Sequence, residues 1–436
     1  MGTEWFCGRQ ILGAAALCLV PNLGSAHEVG KSRYDYARHV RPVFERHCAS
    51  CHRPAGIAPM SLLRYEEAVP WANAVKLMVL ERRMPPWLPE EGVGSWRGAK
   101  GLTAQELDLV VDWASGGTPK GEGMDGAQEA AFPPKREPQA DLTLSALRES
   151  ILSPQEREKA ECVVFPLHLD KNRALVSVEL RPDNETIVRS AVIYRGDSCR
   201  EEDAPLATWL PGDGAFDMPQ GSAVVLRRGV SLSARILYRK TWLLDGKPAR
   251  DRSRLALRFA KDRTVALAQL SLEAGTPSTL ARAVRVTSVF PRGVRGASLR
   301  LDAVRPGGDR SSILTIERFD PDWSAKYALA VPLELPAGTR LEAVLGSFWI
   351  DYLYGYSKVE PGAGVPGGKP SSSSGRLPRC LAGSPTEATR RSPVRLGGRL
   401  PSAQGCAVTR LAGRKPLTSS TSRPGSAVAQ VELSWP

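Results

Sequence analysis

Histidine is scarce in this chain of 436 residues. Only 5 are present, and they are His27, His39, His47, His52 and His168. Ser-His-Asp and Cys-His nucleophile sets each place an imidazole base beside the attacking side chain. With so few imidazoles we expect no catalytic residues of either kind, and we interpret the scattered Asp and Glu pairs as solvated strand ends.

Long apolar runs are also missing. The longest near the N-terminus covers residues 11–20, well short of the roughly 20 residues that span a bilayer. Arg9 precedes this run and Gly24, Ser25 and Ala26 follow it, which is typical of a secretory signal peptide over residues 1–26. We therefore expect a periplasmic or otherwise exported protein with no transmembrane segment in the mature chain. An uncleaved N-terminal anchor is the alternative.

The charge balance is strongly basic, with a formal net charge of +13. Clustered Lys and Arg can neutralise nucleic-acid phosphates. Here the arginines are scattered through apparent strands, and no helix-turn-helix, zinc-finger or RNA-binding signature accompanies them. We expect a basic surface and tail and no nucleic-acid partner.

The most specific motif is Cys48-Ala49-Ser50-Cys51-His52. C-x-x-C-H is the attachment signature of haem c, in which two thiols bond the porphyrin and the imidazole ligates the iron. A redox dithiol or a zinc site would also use C-x-x-C, but zinc needs a second Cys or His pair nearby and none follows. The motif predicts covalent attachment at Cys48 and Cys51, with His52 as the proximal ligand of the haem iron.

The sequence offers two methionines as the sixth iron ligand. A thioether ligand commonly raises the potential of haem iron. Met84, in Met84-Pro85-Pro86-Trp87, lies far enough downstream to reach the distal face, whereas Met60 follows His52 closely and is the alternative. Another ligand or an open site is also compatible. A carbonyl in the loop 54–59 is placed to accept from the proximal imidazole.

The pattern over residues 31–122 is helical. Phe44 belongs to an apolar face that leads into the motif, and a second helix is expected before Pro85. Thr103 and Glu106 form a T-x-x-E capping box for a third helix. Three helices around C-x-x-C-H resemble a class I cytochrome c domain, and this resemblance implies that Phe44 and Trp113 pack where the first and last helices cross.

Beyond a Gly- and Pro-containing linker over residues 123–141, short apolar runs alternate with turns and predict strands. A series of phrases resembles the bacterial copper type II, ascorbate-dependent monooxygenases, relatives of peptidylglycine hydroxylating monooxygenase. The phrases are Cys162-Val163-Val164-Phe165, Arg181-Pro182 before Thr186-Ile187-Val188, Trp209-Leu210-Pro211-Gly212, Met218-Pro219-Gln220-Gly221, Asp251-Arg252-Ser253, Phe290-Pro291, Arg295-Gly296 and Leu335-Pro336-Ala337-Gly338. The resemblance implies paired β-sandwiches, each holding a copper, and bacterial members often carry an N-terminal cytochrome c domain.

The copper-ligand positions implied by this resemblance do not hold histidine. They read Arg189-Ser190 and Leu237-Tyr238, and His168 alone lies beyond the linker. Copper cycling between its two oxidation states is suited to imidazole donors, so we expect no copper here. We interpret His168 as an ordinary strand histidine. The β region is then expected to dock a redox partner protein or to bind a small-molecule ligand.

Cys162 and Cys199 are a disulfide candidate, because an exported protein meets oxidising conditions. Such a bond would add about 4 kcal/mol through the unfolded state. Two free buried thiols are the alternative. Residues 358–436 are rich in Gly, Pro, Ser and Arg, a composition that predicts a disordered tail.

Together these patterns predict a multidomain chain: a small all-α cytochrome c domain, an all-β region of tandem β-sandwiches, and a disordered C-terminal tail. The expected boundaries are 1–26 for the signal peptide, 31–122 for the cytochrome c domain, 123–141 for the linker, 142–262 and 263–357 for the first and second monooxygenase-like β-sandwiches, and 358–436 for the tail. The expected function is one-electron transfer through haem c. The enzyme alternative is an ascorbate-dependent monooxygenase-type oxidoreductase with atypical metal ligands, fed by the haem.

Overall fold

Alternation of apolar and polar residues produces strands through most of the chain. The computed structural model describes residue 2, residues 30–122 and residues 139–354. The expected signal peptide, apart from residue 2, lies outside the described residues, as do linker residues 123–138 and the tail 358–436.

Residues 30–122 form short helices around a small core. The helices are a π-helical turn at Tyr36–Val40, α1 at Arg41–His47, α2 at Tyr65–Ala68, a 3₁₀ turn at Val69–Trp71, α3 at Ala72–Leu80 and α4 at Ala104–Ser115. Thr103 caps α4, and its reciprocal hydrogen bonds with Glu106 confirm the predicted capping box. Phe44 and Trp113 meet edge to face with ring centroids 6.1 Å apart, as expected. Among the described residues no helix is long and apolar enough to cross a membrane.

The first β region surrounds one hydrophobic core with two main sheets. Its strands are β1 Leu142–Ser145, β2 Ser150–Leu152, β3 Glu158–Phe165, β4 Arg173–Arg181, β5 Val188–Arg195, β6 Pro205–Trp209, β7 Phe216–Asp217, β8 Ser222–Leu226, β9 Leu232–Arg239, β10 Ala249–Asp251, β11 Arg254–Phe259 and β12 Val265–Ala266. One sheet has the order β1-β11-β4-β8-β12, with β7 beside β4; the other has the order β3-β9-β5-β6. A short β10-β2 pair completes the region. The core contains buried residues from strands of both main sheets.

The second β region has its own core between two four-stranded sheets. Its strands are β13 Ala268–Leu272, β14 Ser278–Thr279, β15 Val284–Arg292, β16 Leu299–Val304, β17 Arg310–Ile316, β18 Tyr327–Leu335, β19 Arg340–Leu345 and β20 Ser347–Tyr354. The sheet orders are β13-β20-β15-β18 and β14-β19-β16-β17. A 3₁₀ turn at Pro321–Trp323 lies between β17 and β18.

The predicted fold class is wrong. The chain is mainly β, its helices are short, and the described residues of Met1–Val359 form one compact unit rather than a separate all-α cytochrome domain followed by others. The physical reason lies in residues 87–97. Trp87, Leu88 and Trp96 pack against the core of the second β region instead of the helical core.

Backbone hydrogen bonds also join residues 87–97 to the second β region. Trp96 forms a bridge with Leu329, and Glu90 N–H donates to the Thr315 carbonyl at 2.9 Å. The Trp87 ring also meets Tyr327 edge to face, 5.3 Å between centroids. The apolar residues that would complete a self-contained helical domain are therefore shared with the β region.

Candidate functional site

The C-x-x-C-H motif forms a tight turn at the end of α1. Cys48 N–H and Ala49 N–H both donate to the Phe44 carbonyl at 2.9 Å, and His52 N–H donates to the Cys48 carbonyl at 2.8 Å. Ala49 is fully buried, and Cys48 packs against the helical core. The turn brings Cys48, Cys51 and His52 together, and neither thiol is in a disulfide.

The two thiols are sheltered from solvent. Burial raises the pKa of Cys48 to about 12, with a further contribution from Cys51. Burial also raises the pKa of Cys51, against a hydrogen bond from Ser50 that lowers it. Both sulfurs therefore carry their protons at neutral pH, and in the folded chain they are poor nucleophiles.

The His52 imidazole is held in its neutral form. Burial lowers the pKa of His52 to about 4, although a hydrogen bond with the Met60 carbonyl opposes this, and Arg189 lowers the pKa further. Its Nδ1 is enclosed and has no hydrogen-bond partner in the described part of the chain. Neutral imidazole is the form that binds a metal. The carbonyl at the imidazole comes from Met60, one residue beyond the loop 54–59 that we expected to supply it.

The two methionine candidates occupy different places. Met60 is half-buried, and its backbone carbonyl lies at the His52 imidazole. Met84 is half-buried in the loop after α3, and its N–H donates to the Met78 carbonyl at 3.1 Å. The structure therefore brings the Met60 carbonyl to the His52 imidazole.

The first β region covers the motif. A Cβ atom added at Gly212, where φ is +83°, would collide with the Cβ of Ser50, so the backbone of the turn after β6 lies directly on the motif. Lys100 forms an ion pair with Asp213 at 2.5 Å, and Arg53 pairs with Glu185. These contacts hold the C-x-x-C-H turn against the end of the β5-β6 hairpin.

Arg189 is a residue of this site that sequence reasoning did not identify. It is the extra residue of a bulge in β5, where Val188 pairs with Tyr238 and Ser190 with Leu237. A bulge changes the direction in which a strand side chain points. We considered Arg189 only as a replacement for a copper ligand. The sequence signal that could have found it is a single cation in the apolar run 187–193.

Other predicted residues lie outside this cluster. Cys162 and Cys199 form a disulfide with their Cα atoms 5.7 Å apart. His168 is exposed just after β3 and not within a strand, because the chain has already left the sheet at Phe165. Within residues 30–122 and 139–354, no group of three or more His, Cys, Asp or Glu side chains is arranged to hold a metal ion.

Comparisons with known proteins add little. No protein-family model matches the sequence, and comparison with curated proteins found no match. Among solved structures, a chain of Bacillus subtilis oxalate decarboxylase, studied for its Mn(II) centres, matches at 8% identity over 52% of this chain and 81% of that chain, with a TM-score of 0.14. That score is too low to support an argument, so the site is interpreted from its own geometry.

Proposed function

We propose that this protein is an exported c-type haem protein that transfers single electrons. The observation that carries the proposal is the turn itself: two free thiols three residues apart, followed by a neutral imidazole whose buried Nδ1 has no partner. The donor set fits haem c, since thiols provide attachment and imidazole provides an axial ligand.

Cys48 and Cys51 are the attachment residues in this proposal. Their sulfurs would hold the porphyrin through two thioether bonds.

His52 is the proposed proximal ligand and Met84 the proposed distal ligand. The Met60 carbonyl lies at the His52 imidazole and Met60 is close to His52 in sequence, whereas Met84 is far enough along the chain to provide the second ligand; this supports Met84. Bound haem supplies one-electron exchange between the ferrous and ferric states.

Two further parts of the proposal concern compartment and partner. The Cys162–Cys199 disulfide is compatible with the oxidising compartments in which covalent haem attachment also occurs. We propose that electrons pass to or from a redox partner protein.

Expression of the full chain with haem-maturation machinery tests the proposal. Haem that resists acid-acetone extraction, at one iron per chain, is the expected result, and it should be absent from the Cys48→Ala/Cys51→Ala variant. The Cys162→Ala/Cys199→Ala variant is the matched control and should retain its haem. Extractable haem only, or stoichiometric copper without iron, would overturn the proposal.

Met84→Ala and Met60→Ala separate the two distal candidates. Loss of the near-infrared Met-to-iron band in the Met84 variant, with the band retained in the Met60 variant, is the expected result. The reverse pattern would assign Met60 to the iron.

A further inference from the structure

Arg189 is a cation without an ion pair in the part of the chain that the structure describes. Its Nε is enclosed and has no hydrogen-bond acceptor, and it has no ion pair among the described residues. Its guanidinium lies over the Trp323 ring, 3.9 Å from the ring centroid. Burial lowers the pKa of Arg189 to about 10, followed by repulsion from Arg239. Even so, the side chain stays positively charged at neutral pH.

The nearest acidic side chains already have other partners. Asp322 pairs with Arg239 at 2.9 Å and with Arg295 at 2.8 Å, and Asp320 also pairs with Arg295. A cation in a low-dielectric environment is costly unless it is paired and hydrogen-bonded. Arg189 therefore has no evident role in holding these elements together by ion pairing.

Its position points to the C-x-x-C-H turn. Ala191 of β5 pairs with Trp209 of antiparallel β6, so Arg189, two residues before Ala191, lies beside the turn that follows β6. Gly212 of that turn is the residue packed on Ser50, between the two cysteines. The same proximity appears in electrostatics, because Arg189 lowers the pKa of Cys51 and of His52.

Resting on the function proposed above, we propose that Arg189 is a positioning residue whose fixed positive charge raises the reduction potential of haem bound at Cys48, Cys51 and His52. The ferric state carries one more positive charge than the ferrous state, so a nearby cation destabilises it more. The effect is stronger when the cation is shielded from water, where charges interact over a lower dielectric constant.

A redox titration of the haem-loaded full chain tests this. Arg189→Gln removes the charge and should lower the midpoint potential, so that at a fixed applied potential the ferric-to-ferrous ratio rises by tenfold or more, equivalent to about 59 mV for one electron. Arg189→Lys keeps the charge and should stay close to the parent protein. Arg235→Gln is the matched control, because Arg235 is exposed on neighbouring β9 and paired with Glu201.

Covalent haem content separates this inference from the proposed function. If the Arg189→Gln variant is fully loaded with haem and its midpoint potential equals that of the Arg235→Gln variant, the role of Arg189 is overturned and the haem proposal stands. Absence of covalent haem in the parent chain would overturn both. If Arg189→Gln does not fold, Arg189→Met, which keeps an apolar stem over Trp323, replaces it; failure of both to fold would assign the charge to folding and overturn the inference.

Discussion

Two sheltered cations, Lys326 and Arg189, occupy opposite kinds of environment. The Lys326 side chain is 1% exposed and pairs with Asp351, 4% exposed, at 2.6 Å. Its Nζ also donates to the carbonyls of Pro205, at 2.7 Å, and Leu206, at 3.2 Å. The Arg189 guanidinium lies over the Trp323 ring and forms no ion pair among the residues described.

The difference between these environments indicates what each charge contributes to the protein. Lys326 immediately precedes β18 of the second β region, and its carbonyl partners belong to β6 of the first, so its hydrogen bonds join the two regions. Arg189 has no ion pair within residues 30–122 and 139–354, yet it lies beside the turn that we propose attaches haem. Because no ion pair among the described residues accounts for the Arg189 charge, we interpret that charge through the neighbouring site rather than through stability.

Lys240 is an intermediate case. It is 2% exposed, and its Nζ donates to the carbonyls of Ser153, at 2.6 Å, and Lys247, at 2.7 Å, with Pro154 further away at 3.3 Å. Backbone carbonyls satisfy its hydrogens. Replacement of the three cations should therefore give three graded effects on the free energy of unfolding.

Lys326→Met should have the largest effect. It leaves the Asp351 carboxylate buried without its cation, which typically costs about 3–5 kcal/mol of unfolding free energy. Urea unfolding followed by tryptophan fluorescence measures the loss. The double variant Lys326→Met/Asp351→Asn should recover part of it, since no unpaired charge remains; a single variant as stable as the parent would break the comparison.

Lys240→Met should have an intermediate effect. Buried carbonyls lose their donor but no charge is left unpaired, so the expected loss is about 1–3 kcal/mol in the same measurement. Lys171→Met is the control, because Lys171 is exposed and its replacement should change stability by less than about 0.5 kcal/mol. If Lys240→Met lowers the free energy of unfolding as much as Lys326→Met does, a carboxylate partner and carbonyl partners would contribute equally, which contradicts the comparison.

Arg189→Met should have the smallest effect on unfolding. The variant loses a cation–π contact worth about 2 kcal/mol when it is shielded from water, but it also removes the cost of burying a charge, so the net change in unfolding free energy should stay within about 1 kcal/mol. The midpoint potential should nevertheless shift. A large loss of stability with an unchanged potential would reverse the interpretation of the two cations.

Local patterns in the sequence predicted local structure well. The Thr103 and Glu106 capping box requires only residues three apart, and α4 begins where it indicates. The fold class was wrong for a non-local reason. Trp87, Leu88 and Trp96 lie in a segment with no clear periodicity, and nothing in it shows that they pack against Tyr327 and Leu329 more than two hundred residues away.

The candidate site divides in the same way. The thiols and imidazole were predicted because their chemistry depends on spacing within five residues. The sequence-based interpretation of Arg189 stopped at the absence of a copper ligand, since its relation to the motif depends on a bulge in β5 and on the contact between Gly212 and Ser50.

The sequence by itself therefore determined the chemistry available at Cys48, Cys51 and His52, together with the capped helix and the strands, because covalent spacing and local hydrogen bonds specify them. Tertiary structure alone decided that residues 87–97 join the second β region, that the first β region covers the motif, and that an unpaired guanidinium lies beside it. These features arise from burial and strand register between distant segments, and none of the three is encoded in a short stretch of residues.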